Sequence, residues 1–367
     1  MIIGTGGRLG AALVREFEGE YALTGFNHAQ LDLSNLDAVR EKLRAMSFDV
    51  LINAAAFTNV DLCETERDRA FLINAEAPGV LAELCDAKHA KLIHFSTDYV
   101  FDGEKRAPYT EHDEPNPISV YGESKLAGEK NVLAAGDRPA SRPEDSRLIQ
   151  PAGSPSSFDS RSSTLDVPSV EGAARRRRVR RHLVVRVSWL FGPDRPSFID
   201  AMIKRAQENE NLDAIADKIS TPTYTHDIAR MLPRFFTGAP VAGIGDPGKN
   251  LQGAGFAIET PTATEAGVNA PGYSPSDYGG ILHFANAGKC SWQEYAQWAL
   301  DCGHDAGVLL KARTVGALKL NDMKNWVARR PAYSVLSTEK YTELTGTPPR
   351  AWREAVADYI THFYSKK

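Results

Sequence analysis

A doubly wound parallel α/β sheet joined to a smaller C-terminal α/β lobe is the fold this sequence predicts, and three observations predict it. Over the first ~135 residues, short apolar or β-branched runs alternate with amphipathic stretches. The first run passes directly into a glycine-rich turn, Gly4-Thr5-Gly6-Gly7-Arg8-Leu9-Gly10. A length of 367 residues allows one large core and a smaller second one.

In chain order the predicted strands are residues 1–3, 21–24, 50–53 and 91–95. Between them the predicted helices, 9–17, 36–46, 67–74 and 78–88, carry apolar residues at three- and four-residue spacing. Strands alternating with helices in this way make a Rossmann-type nucleotide-binding domain, helices covering both faces of the sheet. From 136 to 181 the chain turns rich in Ser, Pro, Asp and Arg without a usable period, which predicts a disordered insertion. It falls between the helix after Tyr121 and a strand at 182–187, a connection that lies at the end of the sheet away from ligands. Residues 237–280 are dense in Gly, Pro, Ala and Thr and predict a long surface loop. Helical periodicity returns from Ser291. Residues 1–190 are thus assigned to a dinucleotide-binding domain and 191–367 mainly to a second lobe, with some segments returning to the first.

Composition narrows the class. The hydrophobic share is 42% and the charged share 25%, ordinary for globular proteins, and no apolar run approaches the roughly 20 residues of a bilayer span. A net charge of −4 favours neither nucleic acid nor an anionic membrane. The one dense basic run, Arg175-Arg-Arg-Arg-Val-Arg-Arg181, has no interleaved aromatic residues and reads as a solvated segment. Met1-Ile2-Ile3 leads straight into glycines without room for a signal peptide, although so short a first strand also leaves room for an upstream start. Cys63, Cys85, Cys290 and Cys302 are scattered, with neither metal-ligand spacing nor a disulfide framework. A cytoplasmic compartment and no bound metal are expected. Cys302 and His304 lack further ligands, and Trp292, Tyr295 and Trp298 have the helical spacing of a packed face.

The glycines of the first turn each serve a physical need, namely a tight turn, close approach of backbone to pyrophosphate, and close packing of helix on sheet. The expected end of the second strand, Gly25-Phe26-Asn27-His28, offers no carboxylate for ribose hydroxyls, so NADPH is expected and NADH possible. Arg8 either reaches a 2′-phosphate or is a solvated first-turn side chain. Asp32 and Leu33 are placed to border an adenine ring, Asp32 alternatively belonging to a helix-start turn.

Tyr121 and Lys125 stand four residues apart, on one face if the segment is helical. A cation beside the phenol favours its ionised form and so tunes an acid–base group. Ser96-Thr97-Asp98-Tyr99-Val100-Phe101-Asp102-Gly103 follows the fourth strand, which puts Ser96 and Thr97 at its carboxyl end. Thr97 and Tyr121 together would make a two-donor cradle for an oxyanion. Ser96 alone reads equally well as a loop cap.

With these motifs the sequence resembles the dTDP-4-dehydrorhamnose reductase family of the extended short-chain dehydrogenase/reductases. The segments Asn53-Ala-Ala-Ala-Phe-Thr-Asn-Val-Asp61-Leu-Cys-Glu64, Arg186-Val-Ser-Trp-Leu-Phe-Gly192, Thr221-Pro-Thr-Tyr-Thr225 and Arg330-Pro-Ala-Tyr-Ser334 add to the likeness, which spans about four-fifths of the chain. The resemblance implies that Thr97, Tyr121 and Lys125 are catalytic and that Asp98, Tyr99 and Trp189 contact a dTDP-sugar. It implies further that the glycine turn, Ala54, Ala55, Ala56, Thr58, Asn74 and Ser96 line the cofactor, Lys125 holding its ribose and keeping Tyr121 acidic. The implied reaction reduces the C4 ketone of dTDP-6-deoxy-L-lyxo-4-hexulose to dTDP-L-rhamnose, by a monomer or homodimer. Some family members bridge subunits through magnesium held by glutamates, one near the start of the first helix, where this chain has Ala12. Two other readings stay open: a sugar-nucleotide epimerase or dehydratase of the same superfamily, and a non-catalytic NADP-binding regulatory subunit.

Overall fold

The computed structural model describes residues 1–136, 182–236, 275 and 278–365. The predicted insertion at 136–181, apart from Gly136, and nearly all of the predicted loop at 237–280 lie outside the described residues, as does the basic run.

The elements follow one another as β1 (Ile2–Ile3), α1 (Arg8–Phe17), β2 (Gly25–Phe26), α2 (Leu36–Arg44), β3 (Val50–Asn53), α3 (Val60–Thr65), α4 (Arg67–Phe71), α5 (Ala77–Ala87), β4 (Lys91–Thr97) and α6 (Val120–Gly136). After the insertion come β5 (Leu183–Val187), β6 (Leu190–Phe191), α7 (Phe198–Glu208), β7 (Leu212–Ile215), β8 (Ile219–Ser220), β9 (Thr223–Tyr224) and α8 (Thr225–Met231). The chain ends with β10 (Gly280–His283), β11 (Cys290–Ser291), α9 (Trp292–Asp305), β12 (Val315–Leu318), α10 (Glu339–Thr345) and α11 (Trp352–Tyr364).

Six parallel strands form the main sheet in the order β10-β5-β4-β3-β1-β2. Successive side chains of a strand face opposite sides, and both faces of the strands carry apolar residues because helices cover both faces. Thus Ile2, Ile52, Ile93 and Val185 pack with Leu9, Leu13 and Phe17 of α1 and Ile228 of α8. Their neighbours Ile3, Leu51, Leu92 and Val184 pack with Val39 and Leu43 of α2, Leu81 and Leu84 of α5 and Val132 of α6. The chain leaves β1 toward β2 and then crosses to β3 on the other side, so the switch in direction falls between β1 and β3. Open sheets bind ligands outside the carboxyl ends of the strands at that point.

Three predicted boundaries are corrected. The second strand is Gly25–Phe26, not 21–24, because Ile2 and Ile3 pair with Gly25 and Phe26. Tyr21 is instead a packing residue, its ring edge-on to Phe17 and Phe236. The predicted helices 67–74 and 78–88 are one helical run, joined by a π-helical turn at Leu72–Glu76. The predicted loop ends before Gly280, which opens β10 and pairs with Leu183. That strand carries a C-terminal segment back to the edge of the first sheet.

The second core gathers α7, α9 and α11 around Phe191, Tyr295, Trp352 and Tyr359, with the parallel pair β7–β12 alongside. Tyr295 is buried as predicted and Trp298 packs beside it, its Nε1 donating to Arg353 O. His304 contacts Ala312 O and the Arg313 guanidinium.

A buried ion pair fastens α6 to the sheet. Arg186 of β5 donates from Nε and Nη2 to Glu129 of α6 at 2.8 and 2.6 Å, both side chains being 1% exposed. Ser96 Oγ donates to the same carboxylate at 2.5 Å, and Arg186 Nη1 lies 3.3 Å from His283 Nε2 on β10. Replacing Arg186 with Met leaves a buried uncompensated carboxylate, and urea unfolding should show a loss of roughly 3–5 kcal/mol. A Glu129→Leu/Arg186→Met double variant should regain much of that loss, and a single variant as stable as the native chain would contradict the assignment.

Candidate active site

At the carboxyl ends of β1, β3 and β4 the structure opens a cleft of about 1210 Å³. The turn after β1 forms one end. Gly4 has φ +91°, and a Cβ there would lie 2.7 Å from Ala55 N, so the turn can sit against the loop after β3 only with glycine. A Cβ on Gly10 would lie 2.1 Å from Gly4 O, so α1 reaches its close approach for the same reason. Helix α1 begins at Gly7 without a side-chain cap, which leaves its first-turn N–H groups to the cleft. An uncapped helix start behind a glycine turn, at the switch point of a parallel sheet, fits a dinucleotide pyrophosphate.

Of the residues singled out from sequence, Gly4, Gly6, Gly7, Arg8, Leu9, Asp32, Leu33, Ala54, Ala55, Ala56 and Thr58 line this cleft, as do Ser96, Thr97, Asp98, Tyr99, Tyr121, Lys125 and Trp189. Gly10 and Asn74 stand behind its wall. Asn74 is a clamp: Oδ1 accepts from Phe57 N at 2.8 Å, while Nδ2 donates to Phe57 O at 3.0 Å and to Ser124 Oγ at 3.1 Å. It therefore shapes the Ala54–Thr58 loop from behind instead of lining the cofactor site as expected. Asp32 accepts from Ser34 N at 2.9 Å, the helix-start turn of the second reading, and still borders the cleft. Arg8 is neither free nor solvated, since Nε donates to Arg195 O at 3.2 Å and Nη2 to Pro196 O.

The chemistry-bearing groups converge from β4 and α6. Tyr121 and Lys125, one helical turn apart, face the cleft together. Lys125 is buried, its Nζ donating to Phe95 O at 2.7 Å and lying 3.3 Å from His94 Nε2. Burial lowers its ammonium to about 8, opposed by Glu129. Burial pushes the Tyr121 phenol above its ordinary value, against the downward pull of a hydrogen bond with Thr97. Burial therefore acts on Tyr121 in the direction opposite to the expected help from a neighbouring cation. His94 is held neutral by burial and by Lys125, with Asn53 Nδ2 at 3.1 Å from its Nδ1.

Thr97 Oγ1 donates to Asp98 Oδ1 at 3.1 Å and accepts from Tyr99 N at 3.2 Å. Thr97 also hydrogen-bonds with the Tyr121 phenol, in the sense that lowers that group, so the two hydroxyls of the expected cradle stand side by side. Asp98 is also turned inward, its Oδ2 accepting from Ser334 Oγ at 2.5 Å and Ser220 Oγ at 3.2 Å. Burial raises its carboxyl despite these partners and Lys218. Asp98 thus ties β4 to the segments at 220 and 334, where contact with a sugar was expected.

Tyr99 and Trp189 do present rings to the cleft. Beneath both lies Lys218, buried, 5.2 and 5.6 Å from the two ring centroids and donating to Pro331 O at 2.9 Å. Trp189 has φ +40°, and its buried Nε1 has no hydrogen-bond partner among the described residues. Left-handed backbone at a bulky residue is costly and marks functional positions. Trp292, predicted as core, packs edge-on behind Trp189 and so supports this wall. Arg330 pairs with Asp61 at 2.7 Å and holds that carboxyl at about 2. Sequence reasoning missed Lys218, Arg195 and the Glu129–Arg186 pair. Arg195 reaches the cleft and Lys218 lies behind its wall, each from a segment far along the chain with no local pattern to announce it.

The sequence profile of a family described as the RmlD substrate binding domain matches residues 1–148, 169–240 and 263–365. A dTDP-4-dehydrorhamnose reductase of Mycolicibacterium smegmatis is 31% identical over 98% of this chain and 84% of its own length. A dTDP-4-dehydrorhamnose reductase structure from Bacillus anthracis, in complex with NADP, superposes with a TM-score of 0.71 at 25% identity, covering 98% of each chain. One from Clostridium acetobutylicum gives 0.70 at 27% identity, over 98% of this chain and 97% of that one.

Asn74→Ala removes both partners of the Phe57 peptide group from a buried site. Stability should fall by about 1–3 kcal/mol, and hydrogen exchange should quicken at the Phe57 amide more than in β3. Unchanged exchange there would contradict the clamp.

Proposed function

The chain belongs to the RmlD substrate binding domain family, and from this membership we propose that it is an NAD(P)H-dependent oxidoreductase of dTDP-rhamnose biosynthesis. It reduces the C4 ketone of a dTDP-linked 6-deoxy-hexulose, dTDP-4-dehydro-L-rhamnose, to dTDP-L-rhamnose. The observation that carries this reading is the meeting of Thr97, Tyr121 and Lys125 in one cleft with the glycine turn.

The nicotinamide cofactor, NADPH with NADH as the alternative, supplies the hydride when bound. The turn at Gly4–Gly7 and the start of α1 take its pyrophosphate, Ala54–Thr58 cover it, and Lys125 holds its ribose. Tyr121, kept neutral by burial, is the proton donor to the ketone oxygen. Thr97, anchored by Asp98, fixes the direction of that phenol. Tyr99 and Trp189 form the apolar wall for the sugar, backed by Lys218. In the same reading residues 1–190 hold the cofactor and 191–367 chiefly the sugar nucleotide, in a cytoplasmic monomer or homodimer.

Tyr121→Phe should bind NADPH as the native chain does while losing about two to four orders of magnitude in kcat. Reduced-nicotinamide absorbance, followed with enzymatically made dTDP-4-keto-6-deoxy-L-lyxo-hexose, checks this. A native chain that binds NADPH without consuming it would overturn the reductase reading.

The pH dependence follows from burial. Since kcat/KM reports ionisations of the free enzyme, it should hold level up to about 8 and decline above, as Lys125 loses its proton. Tyr121, raised by burial, adds no limb in that range. Lys218 is also lowered to about 8, so the decline should persist in Lys218→Gln if it belongs to Lys125. A profile level to about pH 10 would remove the Lys125 charge from the mechanism.

A further inference from the structure

In folds of this class the adenosine ribose is read where the glycine turn faces the end of β2, by a carboxylate for NAD or a nearby arginine for NADP. Here that end carries Asn27 and His28 and no acid. The arginine inside the turn, Arg8, has its Nε and Nη2 committed to two backbone carbonyls. Those carbonyls belong to Arg195 and Pro196, on the loop between β6 and α7. What Arg8 holds in place is therefore another arginine.

The geometry brings that second guanidinium to the ribose position. A Cβ placed on Gly6 would lie 3.5 Å from Asn27 Cβ and 3.8 Å from Arg195 Nη2. The loop behind it is fixed at a second point, where Arg15 Nη1 of α1 donates to Asp194 Oδ1 at 2.5 Å. The loop is thus tied to α1 through the Arg195 and Pro196 carbonyls and the Asp194 side chain, while the Arg195 side chain is exposed and borders the cleft. Among the described residues no carboxylate pairs with it and no acceptor takes its N–H groups. Asp32, the nearest acid along the chain from β2, is engaged by Ser34 N and lies 3.6 Å from His28 Nδ1. A planar fork of donors, held in place and unsatisfied, next to a second cation, suits a dianionic oxygen cluster.

We propose that Arg195 reads the adenosine 2′-phosphate of NADPH, so that a loop beyond the first domain, and not the arginine of the glycine turn, sets the cofactor preference. Arg8 and Arg15 are positioning residues for it. The proposal rests on the nicotinamide-cofactor reading above and adds which dinucleotide is chosen and by what.

The test is equilibrium binding to the full chain, without sugar substrate, by fluorescence titration of NADPH and of NADH. The native chain should prefer NADPH. Arg195→Gln should weaken NADPH by roughly tenfold to a hundredfold, the range for a hydrogen bond to a charged group, and change NADH by less than about twofold. Arg195→Lys, which keeps the charge and loses the fork, should fall between. The compound 2′,5′-ADP should compete with NADPH on the native chain and lose that ability on Arg195→Gln. Equal losses for both dinucleotides, no loss for either, or a native preference for NADH would overturn the assignment and leave the cofactor reading standing. A native chain that binds neither dinucleotide would overturn both.

Discussion

The bidentate contact between Glu129 and Arg186 is the interaction on which the geometry of the cleft depends. Charges this deeply buried are tolerated only when each lone pair and N–H finds a partner, so the pair fixes everything it touches. On one side it holds α6, and with it Tyr121 and Lys125, against β4 and β5. On another it takes the Ser96 hydroxyl and so orients the carboxyl end of β4, where Thr97 stands. On a third, Arg186 meets His283, which ties the edge strand β10 to the same centre. A two-pronged ion pair fixes the helix that carries Tyr121 and Lys125 with a directionality that apolar contact alone lacks.

A similar pairing of buried charge governs the groups at the mouth of the cleft. Asp98, Ser220 and Ser334 close one set of hydrogen bonds across segments far apart in sequence, with Lys218 supplying the opposite charge. Burial then works in opposite directions on the two groups assigned to catalysis. It makes Lys125 a weaker holder of its proton and Tyr121 a stronger one. A phenol that stays neutral is what a proton donor requires, and the hydrogen bond from its surroundings fixes its direction more than its acidity.

Much of this was legible in the sequence, and the limits are physical ones. The glycine turn, the four-residue Tyr–Lys spacing and the segment after β4 are local patterns whose meaning depends on neighbours a few residues away, so they could be read directly. The second strand was misplaced because Tyr21 and Leu23 look like a buried strand while serving as packing for α1 and the sheet face. The π turn at Leu72–Glu76 leaves no mark in apolar spacing that separates it from a break between two helices. The octet says nothing of Ser220 or Ser334, whose hydroxyls hold the Asp98 carboxylate. Arg195 and Lys218 could not be found at all, since what gives them a role is where the chain returns and not what stands beside them.

The return of β10 to the edge of the main sheet bears on how the protein is made. Until residues 280–283 leave the ribosome, the open edge of β5 is a row of unpaired backbone groups flanked by Val184 and Val185, both wholly buried in the finished fold. Such an edge invites pairing with other chains. Nascent chains stalled or truncated before this point would therefore carry a nearly complete nucleotide-binding sheet with one adhesive side, a natural substrate for chaperones during synthesis.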